Sequence, residues 1–338
     1  MNQLRTSETP NNFWIRAWIY SKEMFPIAIY IPYVVSLYFC VNIVTQILNT
    51  PIFKIFKQNR GTSSNLLDSI YKAGSEVVVD STAIAGVVTA FFMMLLMRTF
   101  DDLKDFDLDA KLFPHRATAR KLVLKRDIQL LSLSSFIILL LVNFIWGQQT
   151  LMVFAVMITY AVLTFKWFFA EKFHREHIFI TMLNHQPLPY VINFFLLHTA
   201  LATGLEYESF QWIHVCLLLI VSMPITAWEI SRKIRSADME TEYETFSMVI
   251  GIKAATIIPL AFFLIVGFIH IYIGRTMEFS PVYNYIVVII MLVVLFFYLR
   301  FLLKPINKYN VLTNVALFTT SIFFINLLIN TLIHYQIF

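Results

Sequence analysis

Charge is scarce in this chain. Only 14% of its 338 residues are Asp, Glu, Lys or Arg, against roughly 25% in an average soluble domain, while 58% are hydrophobic. A soluble fold of this length could not hide so much apolar surface in one core. The composition therefore excludes ordinary soluble classes and implies a polytopic membrane protein. Cysteine is scarce too. Cys40 and Cys216 provide neither a disulfide framework nor a metal-ligand spacing, and each reads as a small hydrophobe in its helix. The stretch MNQLRTSETPNNFWIRAWIYSKE lacks a compact apolar core with a cleavage site, so no signal peptide is expected. The net charge of +5 fits basic loops facing lipid, not a nucleic-acid interface.

Long apolar runs are what the chain has instead. A bilayer core needs about 20 mostly apolar residues per helix. About nine such runs occur, near 24–48, 77–97, 128–146, 150–169, 187–204, 211–228, 249–273, 282–303 and 311–334. They are expected to be helices, because open strands cannot satisfy their backbone groups in lipid. The fifth run is the least apolar, with Pro187, Pro189, Asn193 and His198. Residues 1–23 form a polar segment before a single transmembrane domain over 24–338. Basic residues crowd the loops after the second, fourth, sixth and eighth runs, which places those loops and the N-terminus on the cytoplasmic side. The segment 49–76, with Lys54, Lys57, Arg60 and Lys72, falls on the other side. There the rule is overridden, or part of the segment lies on the membrane surface.

Two polar clusters interrupt the apolar chain. Directly after the second run, RTFDDLKDFDLDAKLFPHR puts five aspartates into residues 101–109. On a helix, steps of four advance by roughly 40°, so Asp101, Asp105 and Asp109 form one stripe with Asp102 at its margin. Asp107 points elsewhere. Like charges so spaced repel, and something positive must offset them. Hard divalent cations such as Mg²⁺ take carboxylate oxygens and often bind substrate phosphates as well. Downstream, Arg116 and Arg120 are again four apart, and the arginine fork suits phosphate oxygens. The bland reading is a solvated, charge-mixed loop helix, which does not require three aspartates in register. After the sixth run, WEISRKIRSADMETEYETFSMVIG brings Glu229, Arg232 and Lys233 within one helical turn. Asp238 and Glu242 follow, four apart. A helix would place that pair together, although alternation with Met239, Thr241 and Tyr243 also suits an extended polar loop.

With these residues in view, the chain resembles the UbiA superfamily of intramembrane prenyltransferases over nearly its whole length. That family's first motif, Asn-Asp-x-x-Asp-x-x-x-Asp after helix two, is matched by DDLKDFDLD with Arg116 and Arg120 behind it. Asp101 replaces the usual Asn, keeping an oxygen ligand and adding a charge. The second motif, an Asp-x-x-x-Asp pair often preceded by Tyr-x-x-x-Lys, is matched by Asp238 and Glu242, with Trp228 and Arg232–Lys233 as the preceding element. The changes there mark a divergent branch. Lys166 in LTFKWF resembles a basic position of the family.

The resemblance implies helices around a central cavity, with Mg²⁺ held by Asp101, Asp102, Asp105, Asp109, Asp238 and Glu242. It implies a prenyl diphosphate bound by Arg116, Arg120, Lys166, Arg232 and Lys233. The metal and basic residues would stabilise the leaving group, water would be excluded from the allylic cation, and aromatic faces could stabilise it. The acceptor would be an aromatic, quinone-precursor or other lipophilic molecule. Polar residues within spans are functional candidates. Asn193 and His198 are candidates for an acceptor cavity, against the blander role of helix–helix hydrogen bonds. Two other outcomes are weighed. One is a terpene cyclase, in which the substrate's own double bonds capture the cation. The other is a cation transporter, disfavoured because the acids lie at a membrane face and not at the midplane.

Overall fold

Water is absent from a bilayer core, so an apolar run of spanning length must satisfy its backbone within itself. The computed structural model shows helices that do so. It describes residues 9–50, 74–203, 210–240 and 245–337. Numbered over those residues, the helices are α1 (Phe13–Glu23), α2 (Ile27–Asn49), α3 (Ser81–Lys104), α4 (Phe106–Leu112), α5 (Lys125–Trp146), α6 (Leu151–Phe165), α7 (Glu171–Glu176), α8 (Ile178–His185), α9 (Leu188–Ala202), α10 (Trp212–Ser231), α11 (Phe246–Ile250), α12 (Ile252–Thr276), α13 (Pro281–Leu303) and α14 (Leu312–Tyr335). Among the described residues there is no strand. Among the described residues, eight segments are long and apolar enough to cross a membrane: Ile27–Asn49, Ser81–Lys104, Lys125–Trp146, Gln148–Phe165, Trp212–Ser231, Ile252–Thr276, Pro281–Leu303 and Asn307–His334. The protein is an all-α, multi-pass integral membrane protein.

The fifth apolar run departs from expectation. It folds as the 15-residue α9, with the 8-residue α8 before it and Pro187 at the joint. Proline has no N–H to donate, which costs nothing in the first turn of a helix, and here Pro187 is the N-cap of α9. At 1.5 Å per residue α9 is about 22 Å long, short of a hydrocarbon core of about 30 Å. The second run departs in the other direction. Its helix continues to Lys104, so Asp101 and Asp102 ride on the end of the span itself.

The chain divides into two compact units. One comprises Met1–Tyr38 with Ser81–Phe169, the other Phe39–Asp80 with Ala170–Phe338. In the first, α3 packs chiefly on α5 and turns Ala83, Ala85, Gly86, Thr89 and Ala90 inward. Small side chains let membrane helices approach closely. At Gly86 the approach is absolute, since an added Cβ would lie 2.4 Å from the Tyr38 ring. Asn143 of α5 donates to Thr89 Oγ1 at 2.8 Å, an interhelical bond lipid could not replace. The opposite face of α5 exposes Leu130, Leu133, Ile137 and Leu141, as contact with acyl chains requires.

In the second unit, α10 packs on α9, α12 and α14, and α13 packs on α12 and α14. Some of its polar groups pair between helices. Ser231 meets Tyr298 at 2.6 Å and His270 meets Tyr283 at 2.7 Å. Gln46 grips the backbone of Val78 twice, donating to its carbonyl and accepting from its amide, each at 2.9 Å. Cys40 and Cys216 are buried and unpaired with each other, as their spacing implied. The basic residues Lys54, Lys57, Arg60 and Lys72 lie outside the described residues.

Candidate functional site

The aspartate row is built by helical register carried across a helix junction. The span α3 ends at Lys104 and α4 begins at Phe106. The four-residue ladder nevertheless continues: Asp105 N–H donates to Asp101 C=O at 3.0 Å, Asp109 N–H to Asp105 C=O at 2.7 Å, and Phe113 N–H to Asp109 C=O at 2.9 Å. The three aspartates therefore share one face, as their spacing predicts. Asp101 is exposed, and Asp105 and Asp109 are half-buried.

Asp102 is different. It is 4% exposed and both oxygens are engaged. Tyr20 Oη donates to Oδ2 at 2.7 Å, and Arg98, one turn earlier on α3, pairs with Oδ1 at 2.9 Å. Burial first, then the Asp102 charge and the hydrogen bond to it, holds the Tyr20 phenol far above its ordinary pKa, so it stays a donor. The arginines are also engaged. Arg116 forms an ion pair with Asp109 and lies 4.1 Å from the centre of the Phe113 ring. Arg120 reaches both oxygens of Glu23 at 2.6 Å. Two of the five aspartates, Asp102 and Asp109, are thus offset by arginines, and an opposite charge so close favours the ionised carboxylate.

Lys104 donates to the Thr164 carbonyl at 3.2 Å, and Phe100 stacks on Phe165 at 4.1 Å. These contacts bring the end of α6, and with it Lys166, to the end of α3. Immediately after Lys166 the backbone turns left-handed at Trp167, Phe168 and Phe169, with φ of 52, 50 and 60°. Such a conformation costs roughly 1–2 kcal/mol per residue that is not glycine. It sets the Trp167 ring under the Lys104 ammonium, 3.5 Å from its centroid, a contact that offsets part of that cost.

The second cluster lies in the second unit. Asp238 sits exposed in a 3₁₀ turn, Ala237–Met239, while Glu242 lies outside the described residues. Arg232 pairs with Glu229 at 2.7 Å and flanks the Trp228 ring, and Lys233 lies 5.9 Å from the Phe246 ring centre. The carboxylate with a built environment here is Glu240, which accepts from Thr245 Oγ1 and from Ser247 Oγ at 2.6 Å. In α9, Asn193 is buried and donates to the Val221 carbonyl and to Ser222 Oγ of α10, at 3.3 and 3.1 Å. His198 is half-buried beside Phe194.

Sequence reasoning missed Tyr20, Glu23, Arg98 and Glu240. For Arg98 a signal existed, since it stands four residues before Asp102 on the same helix. For Tyr20 and Glu23 there was none, because their partners are 82 and 97 residues away.

No family model and no curated protein matches the sequence. A solved structure of a digeranylgeranylglyceryl phosphate synthase in membranes does match, with a TM-score of 0.60 and 12% identity, over 94% of this chain and 98% of that one. At that identity the likeness is one of fold.

Proposed function

We propose that the chain is a Mg²⁺-dependent intramembrane prenyltransferase. It ionises a prenyl diphosphate and transfers the prenyl group to an aromatic, quinone-precursor or other lipophilic acceptor, releasing diphosphate. The observation that carries this reading is the row Asp101, Asp105, Asp109, kept in register at the end of a membrane span, with Arg116 paired to its last member. The fold likeness to a membrane synthase of a prenylated lipid supports it.

The donor set suits the metal. Among the described residues no three of His, Cys, Asp or Glu converge as an all-protein metal cage. Mg²⁺ asks for less, one or two carboxylates with water and phosphate oxygens completing an octahedron. Asp101, Asp105 and Asp109 would hold it, and when bound it supplies positive charge to the leaving diphosphate. The chain's own residues do the rest. Arg116 and Arg120 exchange Asp109 and Glu23 for phosphate oxygens, to which their planar forks are matched. Lys166, brought to the same end of the first unit, adds a further cation. The C–O bond breaks with its electron pair going to diphosphate, and the acceptor's nucleophile takes the allylic carbon and loses its proton. Apolar walls keep water from the cation. The proposal puts the motif-bearing loops on the cytoplasmic side.

The test is release of pyrophosphate by purified protein in nanodiscs, offered geranyl, farnesyl and longer prenyl diphosphates with a membrane lipid extract. Release should require Mg²⁺, stop with EDTA, and depend on acceptor. Asp238→Ala and Glu242→Ala test the second motif in the same assay. Hydrocarbon or alcohol formed without acceptor would point to cyclisation, and no release from any donor would overturn the proposal.

A further inference from the structure

The N-terminal helix α1 is tied by side-chain bonds to the aspartate motif and to the loop that follows it. Its inner face carries Arg16, Tyr20 and Glu23. Arg16 forms a two-point ion pair with Asp127 in the first turn of α5, at 2.7 and 2.9 Å. Tyr20 holds Asp102 in the last turn of α3, and Glu23 holds Arg120. Tyr20 also packs in one apolar cluster with Ala117, Leu122 and Val123 of the loop that bears the arginines. Just before the helix, Thr9 donates to the Lys121 carbonyl at 2.9 Å.

The outer face is the opposite in character. Trp14, Ile15 and Trp18 are 76, 52 and 58% exposed, and steps of four align Trp14 and Trp18 with Lys22. Lys22 Nζ lies 5.0 Å from the Trp18 ring centre. Two tryptophans and an isoleucine on one face, bordered by a lysine, form the pattern of a helix lying in the plane of a membrane interface. The position agrees. The inner face is bound to the end of one span and the start of another, the level at which spans leave the hydrocarbon. On α5, whose first turn α1 grips through Asp127, Leu130 and Leu133 are exposed as well.

We infer that α1 is an interfacial clasp: its Trp14–Ile15–Trp18 face seats in the lipid headgroup–acyl boundary, and its opposite face thereby holds Asp102 and the arginine-bearing loop in place. Asp102 is in this view a positioning residue, bound to protein on both oxygens. Lipid at the interface thus supports the geometry of the motif. The inference concerns placement and does not rest on the reaction proposed above.

The test uses the full chain in nanodiscs and reads no activity. A nitroxide at Trp18→Cys is compared with one at Leu133→Cys on the lipid face of α5 and one at the exposed Asp107→Cys. The two native cysteines are buried and label poorly. The label at 18 should relax with oxygen, as at 133, and resist a water-soluble nickel complex that reaches 107. In Trp14→Ser/Trp18→Ser, amide hydrogen exchange over residues 98–124 should rise at least tenfold while α13 stays unchanged. A label at 18 that behaves like the one at 107 would overturn the inference, as would unaltered exchange over 98–124. Should α13 exchange faster too, the variant has lost its fold, and the label at 18 in otherwise native protein decides.

Discussion

The Asp102 carboxylate allows a sharp energetic test. It is 4% exposed, with Tyr20 on one oxygen and Arg98 on the other. Arg98→Met takes away the cation and leaves a buried charge with a single hydrogen bond. Breaking a buried pair in this way costs about 3–5 kcal/mol. The Arg98 side chain is 29% exposed, which places the expectation at the lower end, about 3 kcal/mol. Asp102→Leu strands the arginine, but that guanidinium can turn toward water, so about 1–2 kcal/mol is expected. The double variant Arg98→Met/Asp102→Leu leaves no uncompensated charge, and only the Tyr20 hydroxyl lacks its acceptor. It should lose about 1–2 kcal/mol, less than Arg98→Met alone. Unfolding by SDS in mixed micelles, followed by tryptophan fluorescence, measures all four corners of the cycle. The coupling should be roughly 3 kcal/mol. If the single-variant losses add to within about 0.5 kcal/mol, the carboxylate is not held as described.

Other outcomes follow from the same geometry. Asp105→Asn should reduce pyrophosphate release by at least about 100-fold, the scale of losing one electrostatic contact to the leaving group. Asp101→Asn, which keeps an oxygen, should stay within about 10-fold. Equal losses in both would contradict the division of roles along the row. Arg116→Lys retains charge but loses the fork and the stacking on Phe113; the KM for prenyl diphosphate should rise about 10-fold with a smaller change in kcat, and an unchanged KM would remove Arg116 from the site. Gly86→Ala drives a Cβ into the buried Tyr38 ring and should destabilise by about 1–3 kcal/mol, a loss that Tyr38→Ala relieves. Neutral Gly86→Ala would show that the two helices can separate freely.

The spans were legible because lipid imposes a length and a composition that a one-dimensional scan can count. Errors came where local chemistry overrode the count. Apolar content suggested a span over 187–204, but the helix there, Leu188–Ala202, is only 15 residues long, and the chain before it is a separate short helix ending at His185. Apolar content also suggested a span over about 77–97, but the helix runs on to Lys104, with its last turn held from the side through Asp102. Asn193, weighed both for an acceptor cavity and for a helix–helix bond, makes the latter with Ser222 Oγ. The residue type alone does not separate those roles.

The aspartate row shows where each kind of information stops. That Asp101, Asp105 and Asp109 share a face is a consequence of 3.6 residues per turn, and the sequence by itself determined it, together with the polytopic helical class. Which aspartate turns away from that face was decided by tertiary structure. Asp102 is bound from Tyr20, Arg120 from Glu23 and Asp127 from Arg16, across separations of 82, 97 and 111 residues. Helical periodicity relates residues a few positions apart and carries nothing over such distances. Only the packing of α1 against the ends of α3 and α5 brings those charges together, and with them the distinction between the carboxylates of the outward row and the one bound by the protein's own helix.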